Sequence, residues 1–510
     1  MLAAGVEGVD AYEVQVEVSV MGGVPGTRVI GLPDAALREA RDRVSCAIRA
    51  SGYPHLAQQR TIHLAPARRR KEEGSAFDLP AALALLAAED PPILRTQDLR
   101  GIAALGELSL QGETRPIRGA LAAGEALSGR VSRLFVSRAS AHAAALGARG
   151  RIEVIPVDSL RHAVGILNRA LQAEPITVDV EASLRPATHD DDLDLVDVRG
   201  AQEAKQALLV AAAGGHDLLF VGPPGAGKTM LARRLPGLLP PLTPDEALEV
   251  TRIHDLALGP LREELIRRRP FRAPHHTASY AALVGGGSRP RPGEISLAHK
   301  GVLFLDELPE CSLRSLEALR EPLESRSITV ARSRASLTYP ADFQLVAAMN
   351  PCPCGYIGEP RRACRCAPLA VERYAARLSG PLLDRIDLQA RLSTPSFAIL
   401  QAPPVPRDGA EGTAALRARA SEARSVQLER AGCLNARIPQ RHLHRLLAFT
   451  PEAKATLRQA AESRLMSGRG LAKVQRVSQT LADLDGRSRI SSDDVAMAVH
   501  LRVGAGLLAA

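Results

Sequence analysis

The stretch Gly222-Pro223-Pro224-Gly225-Ala226-Gly227-Lys228-Thr229 limits what this chain can fold into more than any other segment. It follows the apolar run Leu218–Val221 and precedes a helix-like run, Met230–Leu235. A strand, a glycine turn and a helix in that order aim backbone N–H groups and a helix N-terminus at one phosphate. Lys228 would then reach the β- and γ-phosphates and Thr229 would hold Mg²⁺, so the expected ligand is ATP. A chance match in a chain with 41 glycines is the competing reading. A second motif disfavours it. Val302-Leu-Phe-Leu-Asp306-Glu307 reads as a buried strand ending in two carboxylates. Asp306 suits Mg²⁺ bound through water, and Glu307 suits the base that activates an attacking water. A further strand, Phe343–Met349, ends in Asn350, whose amide would sense the γ-phosphate or position that water. A turn-forming Asn before Pro351 is the alternative.

The 510 residues allow several domains and a large core without disulfides. A formal net charge of +9 fits a polyanionic partner. Aromatic residues make up 3% of the chain and Trp is absent, so grip on phosphates is favoured over base stacking. With no signal-like start and no apolar run of membrane-spanning length, the expectation is a cytoplasmic protein with no membrane partner. Residues 1–185 read as a first unit, with a strand at Tyr12–Val20 and helices at Pro33–Ser51 and Gly74–Ala88. Residues 186–392 alternate strand and helix signals as a parallel α/β nucleotide-binding domain does. The proline-rich segment 393–413 reads as a hinge, and 414–510 as a helical lid.

Four of the seven cysteines crowd together as Cys352-Pro-Cys354 and Cys364-Arg-Cys366. Four thiolates on a short loop suit tetrahedral Zn²⁺ and would order a segment with little core of its own. Iron–sulfur ligation and uncoordinated thiols stay open, because C-x-C is tighter than the usual C-x-x-C. His275 and His276 are adjacent and lack an acidic partner at ligand spacing, so they read as residues that order a loop or approach nucleotide.

Five segments carry a resemblance: Asp194–Gln202, Gly222–Thr229, Arg269–Thr277, Pro292–His299 and Gly301–Glu310. Together they resemble the magnesium-chelatase-like AAA+ proteins of the YifB/ComM family, from Gly31 nearly to the C-terminus. The resemblance implies an α/β AAA+ core with a C-terminal helical lid, assembled as a homo-hexamer. It implies that Arg385, in Leu382-Leu-Asp-Arg-Ile-Asp387, is an arginine finger for the neighbouring subunit. An Arg paired with Asp384 or Asp387 is the structural alternative. Arg469 would be the lid's sensor, reaching nucleotide in cis, with Arg476 as runner-up. The segment Ser327–Tyr339 reads as two short strands around Arg332-Ser-Arg334. In related motors a hairpin there enters the pore, and its arginines would contact DNA phosphates. The insertion Ala278–Arg291, with Arg289 and Arg291, is the second candidate for DNA contact.

The first unit resembles the Lon-protease fold of the ribosomal-protein-S5 domain 2-like α+β type. Lys71–Ala76 matches the segment that carries Lon's nucleophile, here Ser75, but Leu121 stands where Lon has its catalytic Lys. Without an amine to take its proton, Ser75 is expected to cap a helix, with Asp78 nearby. The resemblance therefore implies an ATP-driven translocase on single-stranded, forked or branched DNA. Its setting would be branch migration in recombination during natural transformation, alongside recombination proteins. A chelatase motor subunit and a Lon-like protease are the alternatives.

Overall fold

The computed structural model describes residues 1–510 except 22–23, 25, 32–33, 55–57, 67–73, 90, 95–98, 184–192, 260–264, 287–290, 333–334, 361, 379, 402–411, 464–465 and 504–510. The basic run 68–71, Arg289 and Arg334 lie outside the described residues. So does the side chain of Arg332.

A seven-stranded mixed sheet organises the first unit, in the order Gly26–Ile30, Gln59–Ala65, Asp10–Met21, Leu2–Glu7, Ile102–Leu105, Arg133–Ser137, Glu153–Val157. The long strand Asp10–Met21 alternates as its sequence dictates. Val14 and Val16 are buried while Glu13, Gln15 and Glu17 face out. Helices Ala120–Leu127 and Arg138–Ala148 meet backbone to backbone: a Cβ added at Gly147 would fall 2.0 Å from the Leu121 carbonyl oxygen. Leu121 is buried in that contact. Ser75 does not cap a helix as expected. It sits in the short turn Gly74–Phe77, and the helix Asp78–Ala87 begins with Phe77, which has no side-chain cap bond. Asp78 instead turns inward to Arg43 Nε at 2.8 Å, and burial pushes its carboxyl up to about 6.

The second unit holds a five-stranded parallel sheet in the order Phe271–Arg272, Val302–Leu305, Gln344–Met349, Leu218–Val221, Leu388–Arg391. The three central strands are buried along their whole length, as a sheet covered on both faces requires. Parallel register sets Leu218 beside Val346 and Leu388. All loops leaving the strands' C-terminal ends therefore share one edge, and all loops entering share the other. Helix Pro244–Leu258, opened by a Thr243/Glu246 capping box, joins the two units. Its Ala247 and Leu248 sit in the first unit's core while Ile253 sits in the second's. Arg118 donates from the first unit to the carbonyls of Leu256 and Ala257, both at 3.3 Å.

Helices Thr413–Ala431, Pro451–Ser463, Gly468–Leu484 and Ser492–Val503 form the C-terminal bundle. No helix among the described residues is long and apolar enough to cross a membrane. The buried Asp483 carboxylate ties the bundle together, accepting two bonds of 2.7 Å from Arg430 and one each of 2.8 Å from Asn435 and Gln479. Asp483→Ala leaves Arg430 without its partner and should destabilise the bundle by about 3–5 kcal/mol in a denaturant titration. A loss below 1 kcal/mol by the same titration would contradict that assignment.

Candidate active site

Strand Leu218–Val221 delivers Gly222 to the C-terminal edge of the sheet, hard against the Leu392 carbonyl, which a Cβ at Gly222 would approach to 2.5 Å. Gly225 and Gly227 follow with φ of 78° and 91°, a left-handed geometry that bends the loop toward helix Lys228–Ala232. Lys228 is buried in the loop. Its Nζ donates to the carbonyls of Gly222 (2.6 Å) and Pro223 (3.0 Å) and to Asn350 Oδ1 (2.9 Å). Burial holds its pKa below the usual lysine value, while Asp306 and Glu307 pull the other way. The ammonium thus rests on neutral acceptors, ready to exchange them for phosphate oxygens.

The loop's neighbour is the pair of carboxylates after strand Val302–Leu305. Thr229 Oγ1 donates to Asp306 Oδ2 at 2.9 Å. An ion held by Thr229 Oγ1 would thus have the Asp306 carboxylate beside it, within reach of a bridging water. Glu307 is exposed, with φ of 50° in the left-handed region, and its N–H donates to Asp306 Oδ1 at 2.9 Å. Its carboxylate pairs with His276 Nδ1 at 2.9 Å, and the His275 ring lies 4.2 Å from that of His276. His276 therefore holds the acid, while His275 bonds Thr277 Oγ1 at 2.8 Å within the loop after Phe271–Arg272.

Arg385 lies at the opposite edge. It comes three residues before Leu388, which pairs with Leu218 at the N-terminal ends of their strands. Four-residue strands, roughly 13 Å at ~3.3 Å per residue, separate it from its own phosphate loop. Its guanidinium pairs with Glu324, not with Asp384 or Asp387 as the structural alternative held. Those two acids are taken by the lid: Lys473 reaches Asp387 at 2.6 Å, and Arg502 reaches Asp384 at 3.3 Å and the Ile386 carbonyl at 2.9 Å. Burial disfavours ionised Asp387, but Lys473 and His216 hold its pKa well below the usual carboxylate range. Arg469 is exposed on the first turn of helix Gly468–Leu484, whose N-terminus Ser467 caps. A Cβ at the adjacent Gly470 would lie 3.6 Å from Arg502 Nε. The helix therefore starts beside the Arg385 segment. Arg476 is half-buried and donates to the Ile438 carbonyl at 3.0 Å.

Strands Ser327–Arg332 and Ala335–Pro340 form an antiparallel hairpin whose register pairs Arg332 with Ala335, leaving 333–334 as the connection. Its foot, with Ile328, Val330 and Tyr339, is buried in the second unit. The first arm lies against the small pair Gly285–Gly286 and Arg291–Pro292, where Arg291 is exposed. Gly8 of the first unit faces Leu337 on the second arm, at 4.0 Å for an added Cβ.

The cysteines gather as one group, with their sulfurs all within 4.8 Å. Cys352, Cys354 and Cys364 stand 3.4–3.6 Å apart. A ZnS₄ tetrahedron with bonds of ~2.3 Å needs sulfurs about 3.8 Å apart, so three of the thiols fit zinc with a small expansion and Cys366 lies within reach as the fourth.

Comparison with known proteins adds identity to this geometry. Residues 16–140, 194–399 and 410–502 match three segments of the magnesium chelatase subunit ChlI family. The chain is 41% identical over 97% of its length to YifB of Salmonella typhimurium, covering 95% of that protein. It is 40% identical over 98% of its length to competence protein ComM of Haemophilus influenzae, covering 96% of it. It is 30% identical to the magnesium-chelatase 67 kDa subunit of Chlorobaculum parvum over 30% of its own length and 23% of that protein. The chain belongs to the magnesium-chelatase-like YifB/ComM family.

For a YifB/ComM-family protein, the AAA+ architecture implies ATP and Mg²⁺, and the parallel sheet with its helical C-terminal bundle fits that architecture. Sequence reasoning missed two residues: His276 as the partner of Glu307, and Lys473 as the lid's hold on the Arg385 segment. No local pattern signals either contact. Lys228→Ala should abolish binding of ATP, measured by equilibrium binding of a fluorescent ATP analogue; retained affinity would place nucleotide elsewhere.

Proposed function

We propose that this protein is an ATP-driven, ring-forming DNA translocase that promotes branch migration of recombining DNA during natural transformation. Its main support is the full-length likeness to a competence protein, 40% identical across 98% of this chain. The polarity of the parallel sheet supports assembly. A chain carrying its phosphate loop on one edge and Arg385 on the other presents complementary halves of a hydrolytic site to its neighbours, as a homo-hexameric ring would use them.

In this reading Lys228 and the loop's N–H groups hold the ATP phosphates, and Thr229 and Asp306 hold Mg²⁺, which neutralises developing charge. Glu307, released from His276, takes a proton from the attacking water, while Asn350 orients it. Arg385 of one subunit stabilises charge on the γ-phosphate bound by the next, and Arg469 on the same face joins it. The hairpin 327–340, with Arg332 and Arg334, and the neighbouring insertion with Arg289 and Arg291 track the DNA phosphates. Zinc in the four-cysteine group is part of the proposal, as is a non-proteolytic, Lon-like role for the first unit in organising the ring. That unit's contacts to helix Pro244–Leu258 and to Leu337 favour such a role, and the buried Leu121 leaves Ser75 no base there. A chelatase motor is the second reading: the ChlI family segments span most of the chain, but the 67 kDa chelatase subunit is 30% identical over 159 residues, against 40% over 502 for the competence protein.

Single-stranded or forked DNA should raise the ATPase rate several-fold at low salt, and the effect should fade steeply as salt rises. Arg332→Ala with Arg334→Ala should remove the stimulation and keep the DNA-free rate; an undiminished DNA response would discard the hairpin as the contact. Glu307→Gln should bind ATP normally and slow turnover by about 10²-fold or more, read by single-turnover hydrolysis. A near-normal rate would remove Glu307 from the mechanism.

A further inference from the structure

The four-cysteine group sits against the phosphate loop. Strand Gln344–Met349 ends at Asn350, which accepts from Lys228 Nζ at 2.9 Å, and the buried Cys352 follows two residues later. The chain then folds back through Gly355, whose N–H donates to the Cys352 carbonyl at 2.9 Å. Gly355 has φ of 86°, and a Cβ there would fall 2.5 Å from Pro224 Cδ and 3.8 Å from Asn350 Cγ. Glycine is thus required twice, for the left-handed turn and for the close approach to the phosphate loop. From Pro351 to Ala367 the described residues form neither helix nor strand. What organises the segment is sulfur: backbone N–H groups of Cys354 and Cys366 donate to the sulfurs of Cys366 and Cys364, both at 3.4 Å.

We propose that the metal-bound cysteine loop forms one wall of the nucleotide pocket, so that metal occupancy sets the affinity for nucleotide. The inference rests on the zinc reading above. Bound metal fixes the turn at Gly355, the turn braces Pro224, and the same loop holds Asn350 beside Lys228. Loss of the metal returns a loop of about fifteen residues to conformational freedom, and its ordering then opposes every binding event. A chelator that removes the metal would thereby weaken nucleotide binding without touching the residues that hold the phosphates.

The test uses the full chain and two readouts: metal content by elemental analysis, and affinity for a fluorescent ADP analogue in excess Mg²⁺. Purified, reduced protein should hold one zinc per chain. A chelator that spares Mg²⁺ should then weaken ADP binding by about tenfold or more, the equivalent of one hydrogen bond to a charged group. Added Zn²⁺ should restore it. Gly355→Val, which strains the turn and meets Pro224, should weaken ADP binding to a similar degree while zinc stays bound. Protein that takes up no zinc would overturn the metal reading and this proposal with it. Zinc that binds and leaves with no change in ADP affinity, or a zinc-loaded Gly355→Val with undiminished affinity, would overturn the coupling and leave the zinc site standing.

Discussion

Strand polarity is the constraint on which the rest of this molecule depends. In a sheet whose five strands run parallel, the loops leaving the strands and the loops entering them are separated by the strand length. The phosphate loop, Asp306, Glu307 and Asn350 all follow strand ends and converge on one edge. Arg385 precedes a strand and falls on the other. No side-chain rearrangement within one chain brings the two together. A catalytic arrangement that includes Arg385 is therefore divided between chains, and hydrolysis in it depends on assembly.

The far edge is not a loose end. Lys473 and Arg502, from two lid helices, grip the backbone and acids on either side of Arg385. The buried His216 ties the same place into the lid through Thr480 at 2.8 Å, and its other ring nitrogen stands 3.5 Å from Asp387. The lid helices and the Arg385 segment are therefore joined at several points. On the near edge, His276 holds Glu307 from the segment that precedes the strand pair Gly285–Gly286 and Arg291–Pro292. Both edges thus place a separate element in direct contact with a residue of the proposed chemistry.

Local patterns were legible. The phosphate loop and the acidic strand each compress their chemistry into a few adjacent residues, and the strand Asp10–Met21 and helix Asp34–Ala50 follow from periodicity alone. Contacts between distant segments were not. Nothing near His276 marks it as the partner of Glu307, and nothing near Lys473 points to the Arg385 carbonyl. The sequence places Arg469 at the start of a helix, but spacing along a helix does not encode where the helix docks. The missing lysine points Ser75 to a helix cap, but a short turn intervenes and the apolar helix starts at Asp78.

The most direct test of a divided site mixes two damaged chains. Lys228→Ala keeps Arg385 but loses the phosphate contact, and Arg385→Ala keeps the loop but loses the finger. Steady-state ATPase should be near zero for each alone and should recover in a mixture, where an intact loop meets an intact finger across some interfaces. A mixture as inactive as its components, or Arg385→Ala protein that hydrolyses ATP at the unaltered rate, would contradict the account.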